Sequence, residues 1–141
     1  MVFSVGKENG YEKNIRDKAQ KIKNLTYLSY VPYEEIQGYY DRASVVLNTS
    51  KQEGFPNSFL HAGIARAALL SFTVNPNHMF DHEIGTCAAG NAKDFFSTLT
   101  SVTSNAEQYG QALHSYVSKH HDRDTNARNF LDSALSAVEN K

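Results

Sequence analysis

Short apolar runs alternate with helix-period patterns along this chain, and that alternation limits its fold more than any composition figure. Val2, Phe3 and Val5 open it as a strand, stopped by Gly6 and the polar turn at residues 7–10. Ile15, Ala19 and Ile22 recur at helical spacing, which predicts a helix over residues 11–23. Residues 25–31 are rich in aromatic and β-branched side chains and read as a second strand, ended by Pro32. A short helix over residues 33–42 places Ile36, Tyr39 and Tyr40 inward, and residues 44–48 form a third strand. The helix after Pro56 runs to about residue 66, a fourth strand covers residues 69–74, and Asn75-Pro76-Asn77 is a turn. A final strand falls near residues 84–89. Three helical patterns follow, marked by Phe95, Phe96 and Leu99, then by Tyr109, Leu113, Tyr116 and Val117, then by Ala127, Phe130, Leu131, Ala134, Leu135 and Val138.

The early strands are continuous apolar runs rather than apolar/polar alternations. Such strands are buried on both faces, so the order strand–helix–strand argues a parallel sheet covered on both sides. The expected fold is therefore α/β, an open doubly wound parallel sheet, with three helices at the carboxyl end. Ligands of such folds bind beyond the carboxyl ends of the strands, which singles out the loops at residues 6–10, 30–33 and 49–58.

A chain of 141 residues fits one domain with a single core. Fourteen basic and fifteen acidic residues nearly cancel, so no basic field exists to hold a nucleic-acid backbone. The apolar runs are far too short to span a membrane, and the first residues lack the pattern of a secretory signal. Cys87 is alone, which rules out a disulfide framework and a cysteine zinc site and suits a reducing cytoplasm. Two glycosylation-type triplets, at Asn24 and Asn48, are chance matches in that compartment. His78 and His82 have the spacing of two ligands on one helix face, but their segment is short, polar and irregular, so no metal site is expected. The chain also opens directly on a strand, which points to a piece of a longer protein.

The densest chemical signal lies at residues 50–62, Ser-Lys-Gln-Glu-Gly-Phe-Pro-Asn-Ser-Phe-Leu-His-Ala. The third strand (Val45, Val46, Leu47) runs into a tight turn holding an acid, a glycine and a proline, and a helix opens at Asn57 or Ser58. Free backbone N–H groups, the positive helix end and the carboxylate of Glu53 then share one small volume. A phosphate-bearing ligand with sugar hydroxyls suits it. Gly54 is expected to supply unusual φ and close approach, Pro56 a fixed φ at the helix start, and Asn57 and Ser58 the caps. On these residues alone, a simply well-capped helix remains the competing reading.

The run Glu53-Gly54-Phe55-Pro56-Asn57-Ser58, after Val45-Val46-Leu47-Asn48-Thr49-Ser50, resembles the donor-site signature of the "group 1" retaining glycosyltransferases. Phe3-Ser4-Val5-Gly6 and Leu28-Ser29-Tyr30-Val31-Pro32 resemble segments upstream of that signature, with Ser29 where glycine is customary. The resemblance covers roughly residues 1–100. It implies the Rossmann-like C-terminal half of a two-domain GT-B enzyme, which binds a UDP- or GDP-linked sugar and needs no metal or other cofactor. The acceptor, a glycan or lipid-linked sugar of polysaccharide biosynthesis, would be held by an N-terminal domain missing from this chain. Hexosyl transfer by the fragment alone is not expected. The resemblance also implies a cytoplasmic protein, peripheral at the inner membrane face where relatives act on lipid-linked glycans.

The resemblance assigns roles residue by residue. Glu53 matches the first acid of a paired-acid motif and holds the sugar near the reacting carbon, the catalytic role in this half. Gly54, Phe55, Pro56, Asn57 and Ser58 turn backbone amides toward the donor phosphates. Gly6, Tyr30, Val31 and Pro32 approach the nucleobase and ribose, mostly through backbone. His61, eight residues after Glu53, stands where the family has a second glutamate that grips the ribose hydroxyls. An imidazole can still bond a hydroxyl. Arg66 and Ala68 replace a glycine and a proline, so a different local backbone is expected there. These departures leave an alternative open: a degenerate, non-catalytic nucleotide-sugar-binding or scaffold module. An unrelated doubly wound signalling or flavin domain is disfavoured by the absence of an acidic cluster at the first strand end.

Overall fold

The computed structural model describes residues 2–3 and 10–139, which fall into two compact units, residues 1–37 and 38–141. In the first unit β1 (Val2–Phe3) pairs in parallel with β2 (Tyr27–Leu28), and α1 (Gly10–Ala19) lies between them in the chain. The helix stops short of residue 23 because Lys21 and Ile22 turn back onto Lys18 and Ala19 carbonyls, at 3.1 and 3.0 Å. The second strand shrinks to two residues of the seven expected. Gly6 lies outside the described residues. The helix α2 (Tyr33–Tyr40) crosses the boundary between the units.

The second unit carries a parallel sheet in the order β3 (Val45–Asn48), β4 (Ala68–Ser71), β5 (Gly85–Cys87). Helix α3 (Asn57–Ile64) connects the first pair, and a 3₁₀ segment (Pro76–His82) precedes the last strand. Helices α4 (Ala92–Ser104), α5 (Ala106–His120) and α6 (Arg123–Glu139) follow. Every residue of β4 is buried, as a central strand of a parallel sheet requires. Its side chains alternate between two layers. Leu69 joins Phe59 and Ala62 of α3, Met79, and Leu113 and Val117 of α5. Ala68 and Leu70 join Phe95 and Val102 of α4 on the other face. This two-sided layering is what the unbroken apolar run predicts.

Helix α4 starts where Asn91 accepts hydrogen bonds from the Lys93 and Asp94 amides, at 2.9 and 3.4 Å. An Asn91→Ala variant is expected to lose about 1 kcal/mol of stability, read as a shift of the urea midpoint with unchanged slope.

Helix α6 forms as its pattern predicts, but Phe130, Leu131, Leu135 and Val138 on it are exposed. Among the described residues no helix is long and apolar enough to cross a membrane.

Candidate functional site

Parallel pairing sets three strand ends at one edge: Asn48 lies opposite Ser71, and Ser71 opposite Cys87. The ladder continues past them, with Phe72 N on Asn48 O at 2.8 Å and Ala88 N on Ser71 O at 2.9 Å. Among the described residues Asn48 and Ser71 are the buried polar side chains, and each bonds the loop that follows it. Ser71 Oγ donates to Val74 O at 2.7 Å. Asn48 ties its loop twice: Oδ1 accepts from the Ser50 amide, and Nδ2 donates to Glu53 Oε1, both at 3.1 Å. A buried amide with both ends satisfied costs nothing in unmet hydrogen bonds and fixes what it holds. Glu53 itself is exposed.

Four residues on, α3 begins. Pro56 is buried and occupies the N-cap position with φ −68° and ψ 130°, and no side chain caps the helix. This corrects two expectations. Asn57 is the first helical residue rather than a cap, and Ser58 is the second, because Pro56 already supplies the extended residue that precedes the first turn. The Phe59 amide turns back onto Pro56 O at 3.0 Å. The amides of Asn57 and Ser58 open the helix ahead of it, at its positive end. Gly54 corrects a third expectation: its φ is not left-handed, and a Cβ added there would meet nothing within 4 Å. Openness, not strain, is what the glycine gives the corner.

Tyr40, at the end of α2, closes one side. Its ring stacks on His61 with centroids 5.1 Å apart and planes 21° from parallel. Burial, and then the charge of Glu53, raise the Tyr40 pKa, so the phenol stays neutral well above neutral pH. His61 is half-buried on the flank of α3. Tyr40, Asn48, Glu53, the 54–58 turn and His61 therefore form one constellation. Tyr30, Val31 and Pro32 belong to the first unit, where Tyr30 is exposed and Pro32 O accepts the Glu35 amide at 3.0 Å. Asn48 and Tyr40 were not singled out from sequence. The signal for Asn48 was present, since a polar residue ends an otherwise apolar strand.

At the far end of α3, Arg66 takes a backbone conformation usually left to glycine. Its φ is +56°. Arg66 N reaches Gly63 O at 3.2 Å, and Ala67 N reaches Ala62 O at 2.9 Å. That pair of bonds is the Schellman stop, whose left-handed residue is usually glycine. The backbone thus keeps the glycine conformation with an arginine in it, at a cost of roughly 1 kcal/mol. The guanidinium lies 3.4 Å from His114 Nε2, and His114 Nδ1 lies 3.0 Å from Gly63 O. Imidazole with its proton on Nδ1 satisfies both contacts.

The 3₁₀ segment breaks at Asn77 and His78, both left-handed, so His78 and His82 do not share a regular helix face. Within the second unit a cavity of about 440 Å³ lies beside Asn105 and Gln108, and none of the corner's residues line it. At the corner Glu53, Gly54 and Asn57 are exposed.

A model of the family described as "Glycosyl transferases group 1" matches residues 2–105, from β1 to the end of α4. No curated protein and no solved structure matches the chain significantly. The matched span holds both parallel sheets and the acid–proline corner, and its mixed α/β layering is Rossmann-like. With most of its length inside that match, the chain belongs to the group 1 glycosyltransferases.

Proposed function

We propose that this chain is the donor-binding part of a retaining glycosyltransferase and that the corner between β3 and α3 takes a UDP- or GDP-linked sugar. The observation that carries the reading is the Asn48–Glu53 bond beside an uncapped helix start. A carboxylate held by a buried amide sits just ahead of two amides at a positive helix end. Transfer of a sugar develops positive charge on its ring and negative charge on the departing diphosphate. Glu53 answers the first charge and the amides of Asn57 and Ser58 the second, each fixed in place before the reaction. His61, stacked on Tyr40, offers a ring nitrogen to a ribose hydroxyl. The acceptor, a glycan or lipid-linked sugar, meets the donor through a preceding domain of a longer chain, and the whole works at the cytoplasmic side.

Titration with UDP, GDP and their hexose conjugates, followed through amide resonances, tests this. The expected result is saturable movement of residues 53–61. Unmoved resonances in both this chain and the full-length protein would reject it. The second reading, a module that binds without transferring, is favoured by one observation: a histidine engaged in an aromatic stack stands where the family carries its second acid. Binding without transfer by the full-length protein on any donor would select it.

A further inference from the structure

The matched family span ends at residue 105, yet the end of α5 reaches back to the corner. His121, the C-cap of α5, is held by its amide on Val117 O at 2.8 Å. Its ring packs on Phe55 with centroids 4.3 Å apart and planes at 43°. The Phe55 ring also meets the Phe59 ring edge-on at 6.1 Å, and Phe59 is fully buried. Phe55 thus touches both the end of α5 and the core, one residue before Pro56 and two before the first helical amide.

We propose that His121 is a positioning residue for the donor corner: its neutral ring clamps Phe55 and so holds the 55–58 turn with its amides outward. The inference rests on the reading of that corner as a donor site only for its effect on binding; the clamp itself is a property of the fold.

The surroundings favour the neutral ring. Burial, and then the neighbouring His120, lower the His121 pKa. Tyr116 of α5 lies 6.0 Å from the His121 ring and 4.6 Å from that of His120. His82, from the 3₁₀ segment, packs on the other part of Tyr116 at 5.4 Å. Three imidazoles thus gather about one phenol. Asp122, the nearest carboxylate along the chain, accepts the Thr125 amide at 2.8 Å, and Arg123 pairs with Asp124 at 3.0 Å. Lys119, two residues before His121, adds positive charge. Within the corner, Tyr40, Glu53 and His61 are titratable, and Lys51 adds a charge on the same loop. Protonating His121 therefore puts a charge on a partly buried ring beside His120, which desolvation opposes, and so weakens the seat of the ring against Phe55.

The test uses the full chain and His121→Phe, His121→Ala and His120→Ala variants. First, the amides of residues 55–58 are followed against pH without ligand. They are expected to titrate with the His121 ring, at a midpoint below 6.5. The coupled titration is expected to vanish in His121→Phe and to move to higher pH in His120→Ala. Amides that stay flat while His121 titrates would overturn the clamp. Second, affinity for a UDP-hexose, whose diphosphate diester does not titrate in this range, is measured at pH 7.5 and 5.5. His121→Ala is expected to weaken binding about three- to tenfold at pH 7.5, the worth of one aromatic contact. His121→Phe is expected to keep wild-type affinity there and to lose the His121 share of the acid weakening, while any His61 share persists in both proteins. Equal affinities in all variants at both pH values would overturn the positioning role. Coupled amides with no UDP-hexose binding would uphold the clamp and reject the donor reading, so the two failures are distinct.

Discussion

Replacing Gly110 with alanine is expected to cost about 3 kcal/mol or more and to lower the melting temperature by on the order of 10 °C. Gly110 lies on the face of α5 that crosses α3, and a Cβ built on it runs into the carbonyl of Arg66. That carbonyl cannot turn away. Arg66 is fixed at φ +56° by the Schellman bonds of its own amide and that of Ala67. The clash is with backbone, so relief requires α5 to back off from α3. The same crossing is tight at Gly63, where an added Cβ would come to 2.5 Å from Val117 Cγ2. Backing off opens space around Phe59, Ala62, Leu113 and Val117, the largest core layer, and each unfilled methylene there weakens it further. Gly38→Ala serves as the control. Gly38 is in the interior of α2, exposed, with nothing within 4 Å of an added Cβ. Alanine there is expected to stabilise by about 0.5–1 kcal/mol, through helix propensity and a less free unfolded chain. Thermal or urea unfolding of the two variants side by side checks both signs. Two glycines on two helices, with opposite expected outcomes, separate packing from propensity.

Their contrast also shows what the sequence could and could not reveal. Order and type of the elements were legible because burial on two faces leaves its mark on single strands. Ala68-Leu69-Leu70 reads as apolar throughout, and its neighbours feed alternate layers. Boundaries were less legible. The aromatic run of residues 25–31 suits a strand all along, yet only Tyr27 and Leu28 find a ladder partner, on a strand described for two residues. The stripe on α6 was visible as a period, but a period identifies a helix without saying what covers it. At the site, residue types were read but geometry was not. Asn57 and Ser58 are good caps by composition. They are not caps here, because buried Pro56 takes that position and leaves their amides to open the helix. Arg66 looked like a disruption of a glycine turn. The structure shows an arginine in the left-handed conformation of a Schellman turn, with α5 packed on its carbonyl. Long-range partners such as Phe55 with His121, 66 positions apart, leave no local trace at all.

Glu53→Gln in the full-length protein is expected to lower kcat/KM by about 100-fold or more, with little change in stability. The charge is the quantity in play. Glutamine has the same shape, and its carbonyl can still accept the Asn48 amide that now reaches Glu53 Oε1 at 3.1 Å. The buried Asn48 side chain keeps its partners, and the loop keeps its form. Exposure of Glu53 means that the folded state gains little from its charge. On the proposed donor reading, the substitution removes a fixed negative charge beside a sugar ring that turns cationic as its bond to diphosphate breaks. Preorganised groups of that kind are worth about 10²–10³ in rate, because they act without reorganising. The loss should fall on kcat more than on KM, since the ring is uncharged in the bound donor and charged only in the transition state. Tyr40 supplies an internal gauge. The Glu53 charge helps raise its pKa, so in Glu53→Gln the phenol is expected to ionise at lower pH, read by its ultraviolet difference absorbance. A folded variant whose Tyr40 titration moves but whose kcat/KM stays at the wild-type value would show that the carboxylate is present and correctly seated yet has no part in transfer.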